Sequence, residues 1–258
     1  NSGNFDAVHL HYDQYANIIP SLQCKKKMIT SHYPYLENPE PQYVFLYDLL
    51  KNSGAHIVCL SDRIQNEFLN RGNDSTNVSI LPCGIDVDSY IIDENDVLYP
   101  DRSIVVGKIE PRKRQAFLQH KGLNIDFIGN NVDASFDTND PCYFGEQSKE
   151  DIMENLTSYA NMVLLSSGEA HPFVCLEGMA AGLGLVISEQ STANLDVTKP
   201  FITVIPDSKL YDTKYLKDKI ERNRKVSMGM RDEIRKYCRD NFDWCAIIKK
   251  YKEIIEKI

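Results

Sequence analysis

The chain has 258 residues, 42% apolar and 26% charged, with a net charge of −8. This is long enough for one large or two small domains around a sizeable core. The scattered lysines and arginines argue against binding nucleic acid through a basic surface, and no apolar run approaches the roughly 20 residues of a membrane span.

The cysteines and the N-terminus indicate a cytoplasmic protein. There are seven cysteines, an odd number without a C-x-x-C pair, and several lie within apolar runs. That pattern is typical of reduced thiols rather than of a disulfide framework. The first residues, NSGNFD, are polar and do not resemble a signal peptide.

The first part of the chain alternates predicted strands with predicted helices, which indicates a parallel sheet. We predict strands at residues 6–11, 27–32, 55–60 and 78–81. Predicted helices cover residues 43–51 and run from the N-cap Ser61 to about residue 70.

A proline, a glycine and then polar residues between 82 and 101 break this pattern and predict a domain boundary. We therefore divide the chain into an N-terminal lobe (1–90), a C-terminal lobe (91–240) and a final segment (241–258).

The second part predicts another parallel sheet. Predicted strands lie at residues 103–106, 125–128, 143–144, 162–165, 185–187 and 201–205. Predicted helices run from the N-cap Ser148 to about residue 159 and over residues 174–181. Residues 215–237 are helix-rich, and residues 244–258 form an amphipathic helix.

The stretch from Asn161 to Ser188, NMVLLSSGEAHPFVCLEGMAAGLGLVIS, predicts a strand, a loop, a helix and a second strand. Glu169 lies on the loop, and Glu177, eight positions later, is expected on the first helical turn. A helix N-terminus suits a phosphate, and nearby carboxylates suit sugar or ribose hydroxyls. The alternative is an ordinary helix with two surface acids.

A second candidate segment follows the strand at 103–106, where Gly107 leads into a basic loop with Lys108 and Lys113. A glycine at the carboxyl end of a strand, followed by cations, is typical of anion sites in α/β sheets. The two lysines could neutralise a diphosphate. A solvated basic loop is the alternative.

Four motifs together, ILPCGID, VVGKIEPRK, GEAHPFVCLEGMAAG and NFDW, resemble the retaining glycosyltransferases of the GT-B fold, especially glycosyltransferase family 4. That family has a Pro-Asn-Gly-Ile-Asp linker, a Gly-Arg-x4-Lys motif and a Glu-x7-Glu donor motif. The resemblance covers residues 78–258 by these motifs and residues 5–70 more weakly, through VHLH and TSHY. It implies an α/β protein with two Rossmann-like parallel-sheet lobes and a cleft between them, the N-terminal lobe abbreviated. It also implies that the final helix packs back on the N-terminal lobe.

The resemblance implies specific roles for four residues as the catalytic set. Lys108 and Lys113 would hold the donor diphosphate and stabilise its leaving charge. Glu169 would contact the donor sugar, and His32 would face the reacting centre. His32 could instead be a packed, hydrogen-bonded residue.

The remaining implied residues bind the donor. Glu177 would hydrogen-bond the ribose, and backbone N–H groups at Phe173 and Val174 would meet the phosphates. His171 could touch the sugar or be a plain loop residue. The phosphate loop and base pocket would include four further residues: Gly107, Gly129, Tyr143 and Gly145. No metal is implied, and His9 and His11 are expected to line a strand end rather than to hold one.

Several positions depart from the family pattern. Cys83 replaces the linker asparagine, Lys108 replaces an arginine, and Ala170 and Pro172 replace loop glycines. The residues before the linker are few for a complete N-terminal Rossmann lobe, and they have no glycine-rich loop.

We therefore expect a hexosyl-type glycosyltransferase that is retaining and independent of metal and cofactors. It would move a sugar from a nucleoside-diphosphate donor, UDP- or GDP-linked, to a hydroxyl of a carbohydrate, glycan or glycolipid. The alternative is a non-catalytic or split-subunit protein that binds sugar nucleotides and needs a partner for the missing N-terminal half. A sugar-nucleotide epimerase fits the Glu-x7-Glu frame less well.

Overall fold

Strands and helices alternate along the chain in a computed structural model that describes residues 5–32, 44–91 and 97–258. The chain divides into two units. The first unit contains residues 1–84, 169–171 and 245–258, and the second contains residues 85–168 and 172–244.

The first unit is built on a parallel sheet of four strands in its described residues, in the spatial order β1-β2-β3-β4. The strands are β1 (Ala7–Leu10), β2 (Lys26–Ser31), β3 (His56–Cys59) and β4 (Val78–Ile80). Helix α1 (Val44–Lys51), helix α2 (Asp62–Asn70) and a 3-10 helix (Asp13–Ser21) connect them. The central strand β3 is wholly buried, as expected for a strand with a neighbour on each edge and layers on its faces.

The helix α8 (Trp244–Lys257) covers part of this sheet. Ile254 forms an apolar cluster with Met28 on β2 and Val58 on β3. The ammonium group of Lys26 donates to the carbonyl of Ile255 at 2.6 Å, which fixes the last helical turn.

Among its described residues, the second unit is built on five parallel strands in the order β6-β5-β7-β8-β9. These are β5 (Tyr99–Val106), β6 (Ile125–Ile128), β7 (Tyr159–Leu164), β8 (Gly184–Ser188) and β9 (Ile202–Ile205). Its helices are α3 (Gln115–Leu118), α4 (Lys149–Asn155), α5 (Phe173–Ala180), α6 (Thr213–Met228) and α7 (Arg231–Phe242). Parallel pairing places the carboxyl ends of all five strands at one edge of the sheet.

The predicted α/β class with two parallel-sheet units is confirmed, while some local predictions are wrong. Residues 143–144 do not form a strand, and Tyr143 alone makes an isolated β-bridge to Phe127. The helix that begins after Ser148 ends at Asn155, and β7 already starts at Tyr159. Residue 33 of the TSHY motif and residue 43 of the helix predicted over 43–51 lie outside the described residues.

In the described part of the chain, no helix is long and apolar enough to cross a bilayer. Within the same residues, no three histidine, cysteine or acidic side chains are grouped so that they could hold a metal ion. No disulfide joins the seven cysteines, all of which lie in described segments.

Candidate functional site

The strands β5 and β6 end side by side, and a glycine follows each of them. The N–H of Gly107 donates to the carbonyl of Ile128 at 2.9 Å. Gly129 has a φ of +149°, and a Cβ placed on it would lie 2.1 Å from the carbonyl oxygen of Gly107. Because no side chain fits that gap, glycine at 129 is what allows the two loops to touch.

Both lysines predicted to bind a diphosphate lie beside Gly107. Lys113 ends a short 3-10 helix, and a Cβ on Gly107 would lie 2.8 Å from its Nζ. Lys108 follows Gly107 directly, is exposed, and lines an open cavity of about 290 Å³ at the ends of β5 and β6. Because glycine has no side chain, an anion beside these lysines has close access to the backbone of Gly107.

Unlike Lys113, the arginines on either side of it form hydrogen bonds with the loop after β7. Arg112 donates to the hydroxyl of Ser166 at 3.0 Å and to the carbonyl of Gly168. Arg114, in a left-handed conformation with φ of +58°, donates to the carbonyl of Leu165 at 2.8 Å. The two arginines therefore fix the loop after β7.

Tyr143 and Gly145 belong to a segment that runs along the edge of β6. The N–H of Phe144 donates to the carbonyl of Phe127 at 2.9 Å, and the N–H of Gly129 donates to the carbonyl of Gly145 at 2.8 Å. The hydroxyl of Tyr143 donates to the carbonyl of Gly129 at 2.9 Å. The hydrogen bond from Tyr143 therefore fixes the backbone of Gly129 at the end of β6.

Helix α5 carries the backbone groups that the sequence predicts to face a phosphate. It begins at Phe173, and the N-cap Pro172 makes no side-chain capping bond. The N–H groups of Phe173 and Val174 lie in the first turn of this helix, where the helix dipole favours an anion. Because the helix starts one residue earlier than predicted, Glu177 is its fifth residue and lies on the second turn.

Glu177 has a partner that the sequence analysis did not single out. Its Oε1 accepts a hydrogen bond of 3.1 Å from the hydroxyl of Tyr90, a residue buried to 2% exposure. Burial raises the pKa of the Glu177 carboxyl, while the Tyr90 bond and the positive charges of Lys149 and Lys113 act in the opposite direction. Lys113 thus lies close enough to Glu177 to influence its ionisation.

Glu169 and His171 belong to the first unit, together with Ala170 between them. Glu169 is partly buried, and Ala170 packs in the apolar core of that unit. The Nδ1 of His171 accepts a hydrogen bond of 2.9 Å from the N–H of Cys83. Burial lowers the pKa of His171 to about 4, so the imidazole is neutral at pH 7 and holds the segment after β4.

His32 follows β2 at the carboxyl edge of the first sheet, beside two other histidines. Its ring centre lies 6.1 Å from that of His11, which lies 4.1 Å from that of His9. Burial and the proximity of His11 lower the pKa of His32, whose side chain still reaches solvent. His9 is fixed by contacts with Thr30 (2.7 Å) and with the hydroxyl of Tyr251 (3.0 Å).

Comparison with known proteins identifies the architecture. No protein-family model matches the sequence, and no curated protein matches it at a significant level. Solved structures do match. Sucrose-phosphate synthase from Thermosynechococcus elongatus is 14% identical with a TM-score of 0.76, and the match covers 98% of this chain and 73% of that one. Anabaena HepE, solved with UDP-glucose, is 15% identical with a TM-score of 0.76, over 100% of this chain and 80% of that one.

The lipopolysaccharide outer core galactosyltransferase WaaB is a third match, 17% identical with a TM-score of 0.69, over 97% of this chain and 74% of that one. The chain has a GT-B-type fold. Identities this low show the fold alone, so the roles of individual residues depend on the geometry described above.

Proposed function

We propose that the protein is a glycosyltransferase that moves a sugar from a nucleoside-diphosphate sugar to an acceptor hydroxyl. The observation that carries the proposal is the approach of Lys113 to Gly107 at the ends of β5 and β6. The exposed Lys108 lies beside the same glycine. Two cations around an accessible backbone suit a diphosphate better than they suit a neutral ligand.

The chemistry follows from where charge develops. When the bond between the sugar C1 and the diphosphate oxygen breaks, negative charge accumulates on the departing oxygen. Lys108 and Lys113 stabilise that charge, and the acceptor oxygen forms the new bond to C1. The acceptor proton passes to the departing diphosphate. Because the two lysines neutralise the leaving group, we propose that the reaction needs no metal ion.

The rest of the second unit binds the nucleotide part of the donor. The uncapped first turn of α5 at Phe173 and Val174 contacts the phosphates. Glu177 accepts hydrogen bonds from the ribose hydroxyls, and the base lies near Gly129 and Gly145. HepE was solved with UDP-glucose, so a UDP-sugar is the first donor to test and a GDP-sugar the second.

Three further residues are assigned to the sugar and the acceptor. We propose that Glu169 hydrogen-bonds hydroxyls of the donor hexose and that His32 contacts the reacting centre. His171, neutral and buried, positions Glu169 two residues before it and can offer the sugar no more than a neutral contact. The acceptor is a hydroxyl of a carbohydrate, glycan or glycolipid. We propose retention of configuration because the spacing of Glu169 and Glu177 resembles that of retaining enzymes.

Donor binding is tested first by thermal shift with UDP-, GDP-, ADP- and TDP-sugars. A ligand that binds the folded state raises Tm, and at a hundredfold excess over Kd it adds about 2.7 kcal/mol of stability. We expect one nucleotide class to raise Tm and the others to leave it unchanged. If no sugar nucleotide at millimolar concentration raises Tm, the proposal is wrong.

Transfer is tested with the donor that binds. Purified protein, the donor and a panel of simple glycosides should release nucleoside diphosphate at the same rate with and without EDTA. Proton NMR of the product reports the anomeric configuration. An inverted product would contradict retention, and a rate abolished by EDTA and restored by a divalent cation would contradict metal independence.

A further inference from the structure

Tyr90 makes a long-range contact with Glu177. The two residues are 87 positions apart, and the tyrosine hydroxyl donates to the Oε1 of Glu177 at 3.1 Å. Tyr90 is among the largest fully buried side chains of the described residues. Burial and the negative charge of Glu177 both raise the pKa of the Tyr90 phenol. The phenol therefore keeps its proton at pH 7, and its hydroxyl acts as a donor.

The backbone of Tyr90 is tied to the helix that carries Glu177. The guanidinium of Arg235 on α7 donates to the carbonyl of Tyr90 at 2.6 Å and to the carbonyl of Ala180, the last residue of α5, at 2.8 Å. Asp88 in turn lies 3.6 Å from Arg235. The partly buried guanidinium of Arg235 therefore links the backbone of Tyr90 to the end of α5.

This arrangement limits the freedom of the Glu177 side chain. A glutamate on a helix surface samples several rotamers, and holding it in one of them costs side-chain entropy. The bond from Tyr90 occupies part of the acceptor capacity of one carboxylate oxygen. A carboxylate has about four acceptor positions, so room remains for the two hydroxyls of a ribose.

We propose that Tyr90 is a positioning residue that holds Glu177 ready for the 2′ and 3′ hydroxyls of the donor ribose, and so sets the preference for ribonucleotides over deoxyribonucleotides. This inference rests on the proposed function, because it assigns Glu177 to the ribose. Tyr90 itself does not touch the donor and acts only through the carboxylate.

The charge state of Glu177 supports the same role. Burial raises its pKa, and Tyr90, Lys149 and Lys113 counteract that rise. Without the tyrosine hydroxyl, only the positive charges of Lys149 and Lys113 oppose the effect of burial, so the pKa of Glu177 rises further. A protonated carboxyl is a weaker acceptor for the ribose hydroxyls. Nucleotide affinity should then weaken at a higher pH than in the wild type.

The test compares UDP with 2′,3′-dideoxy-UDP by titration calorimetry. If the thermal-shift screen selects another base, the matching pair of nucleotides is used. The variant Tyr90→Phe keeps the ring and removes only the hydroxyl. We expect its Kd for UDP to rise about tenfold, the effect of one hydrogen bond to a charged group. Its Kd for dideoxy-UDP should change less than about twofold, because that ligand has no hydroxyl for Glu177 to accept from.

Tyr237→Phe is the matched control. The hydroxyl of Tyr237 accepts a hydrogen bond from the N–H of Asp196 at 2.8 Å in the same unit, so the variant loses an equivalent group elsewhere. Both Kd values should stay unchanged in this control. Glu177→Gln should lose the preference for UDP, and the dependence of that preference on pH should become flat. Tyr90→Phe should keep the pH dependence with its midpoint moved upward.

The outcomes separate this inference from the proposed function. If wild-type protein prefers UDP and Tyr90→Phe keeps the full preference, the positioning role is wrong while the ribose assignment stands. The positioning role is also wrong if Tyr90→Phe weakens both ligands equally, because that pattern indicates general damage to the fold. If wild-type protein binds both ligands equally, the assignment of Glu177 to the ribose fails and this inference fails with it.

Discussion

A methyl group at position 129 should damage the candidate site through the backbone alone. In Gly129→Ala the added Cβ would lie 2.1 Å from the carbonyl oxygen of Gly107 and 2.6 Å from its carbonyl carbon. Both are backbone atoms at the end of a paired strand, so neither can move aside as a flexible side chain would. The φ of +149° at this position adds conformational strain for any residue with a Cβ.

The expected cost is the sum of these two effects. Strain in a backbone conformation that non-glycine residues avoid costs about 1–3 kcal/mol, and overpacking a rigid contact costs about 1–3 kcal/mol. We therefore expect Gly129→Ala to lower the free energy of unfolding of the second unit by about 2–6 kcal/mol. Relief of the clash separates the ends of β5 and β6, so nucleotide affinity should fall as well.

Gly122→Ala separates the two contributions. Gly122 lies in the same unit with φ of +64°, and a Cβ there meets no atom within 4 Å. Its cost should be about 1–2 kcal/mol, that of a left-handed conformation alone. Urea denaturation followed by circular dichroism measures both variants. If Gly129→Ala is no less stable than Gly122→Ala, the close approach of the two loops is not as described.

Three further predictions follow from the described contacts. Lys113→Ala should lower kcat by on the order of 100-fold through loss of a charge beside the leaving group. The exposed Lys121→Ala should leave kcat unchanged, and equal rates in both variants would refute the phosphate role. Burial lowers the pKa of His171 from 6.5 to about 4, so proton uptake opposes folding of the first unit. The contribution of His171 to the stability of that unit should be complete above pH 6.5, and up to about 3 kcal/mol of it should be lost as the pH drops to 4. A urea midpoint as sensitive to pH in His171→Asn as in the wild type would contradict this. Ile254→Ala, at a side chain only 7% exposed, should cost about 2–5 kcal/mol in urea unfolding. Ile248→Ala, 46% exposed on the same helix, should cost less than about 0.5 kcal/mol, and similar costs would contradict the packing of α8.

Local sequence patterns predicted the strand–loop–helix units because their signals lie within a few residues. The hydroxyl of Ser61 accepts from the N–H of Ile64, and that of Ser148 accepts from the N–H of Asp151, as their positions before helical runs predict. The end of α4 was misplaced because Leu156–Ser158 forms a 3-10 turn that resembles continued helix in sequence. Tyr159 then enters β7, where burial in the sheet overrides local preference.

Long-range partners in the candidate site could not be predicted in this way. Tyr90 lies in a polar stretch that the sequence marks only as a boundary, and its bond to Glu177 depends on how α5 and α7 pack. The different contacts of Lys113 and of the arginines beside it also depend on the loop after β7, which lies more than 50 residues away in the sequence. Charge alone does not distinguish a cation that points toward a ligand from one that supports a loop.

The sequence by itself determined the class of the protein: two parallel α/β units, glycines after the strands at 107 and 129, and two glutamates eight positions apart. These features are local, since alternation, capping and turn chemistry depend on neighbours along the chain. Only the tertiary structure decided which groups share a surface. It brought the ammonium group of Lys113 close to Gly107 and the hydroxyl of the buried Tyr90 to the carboxylate of Glu177. It also brought the Nδ1 of His171 to the N–H of Cys83. Each of these contacts joins residues that the packing of separate elements brings together. Sequence patterns do not show how close such residues lie in space.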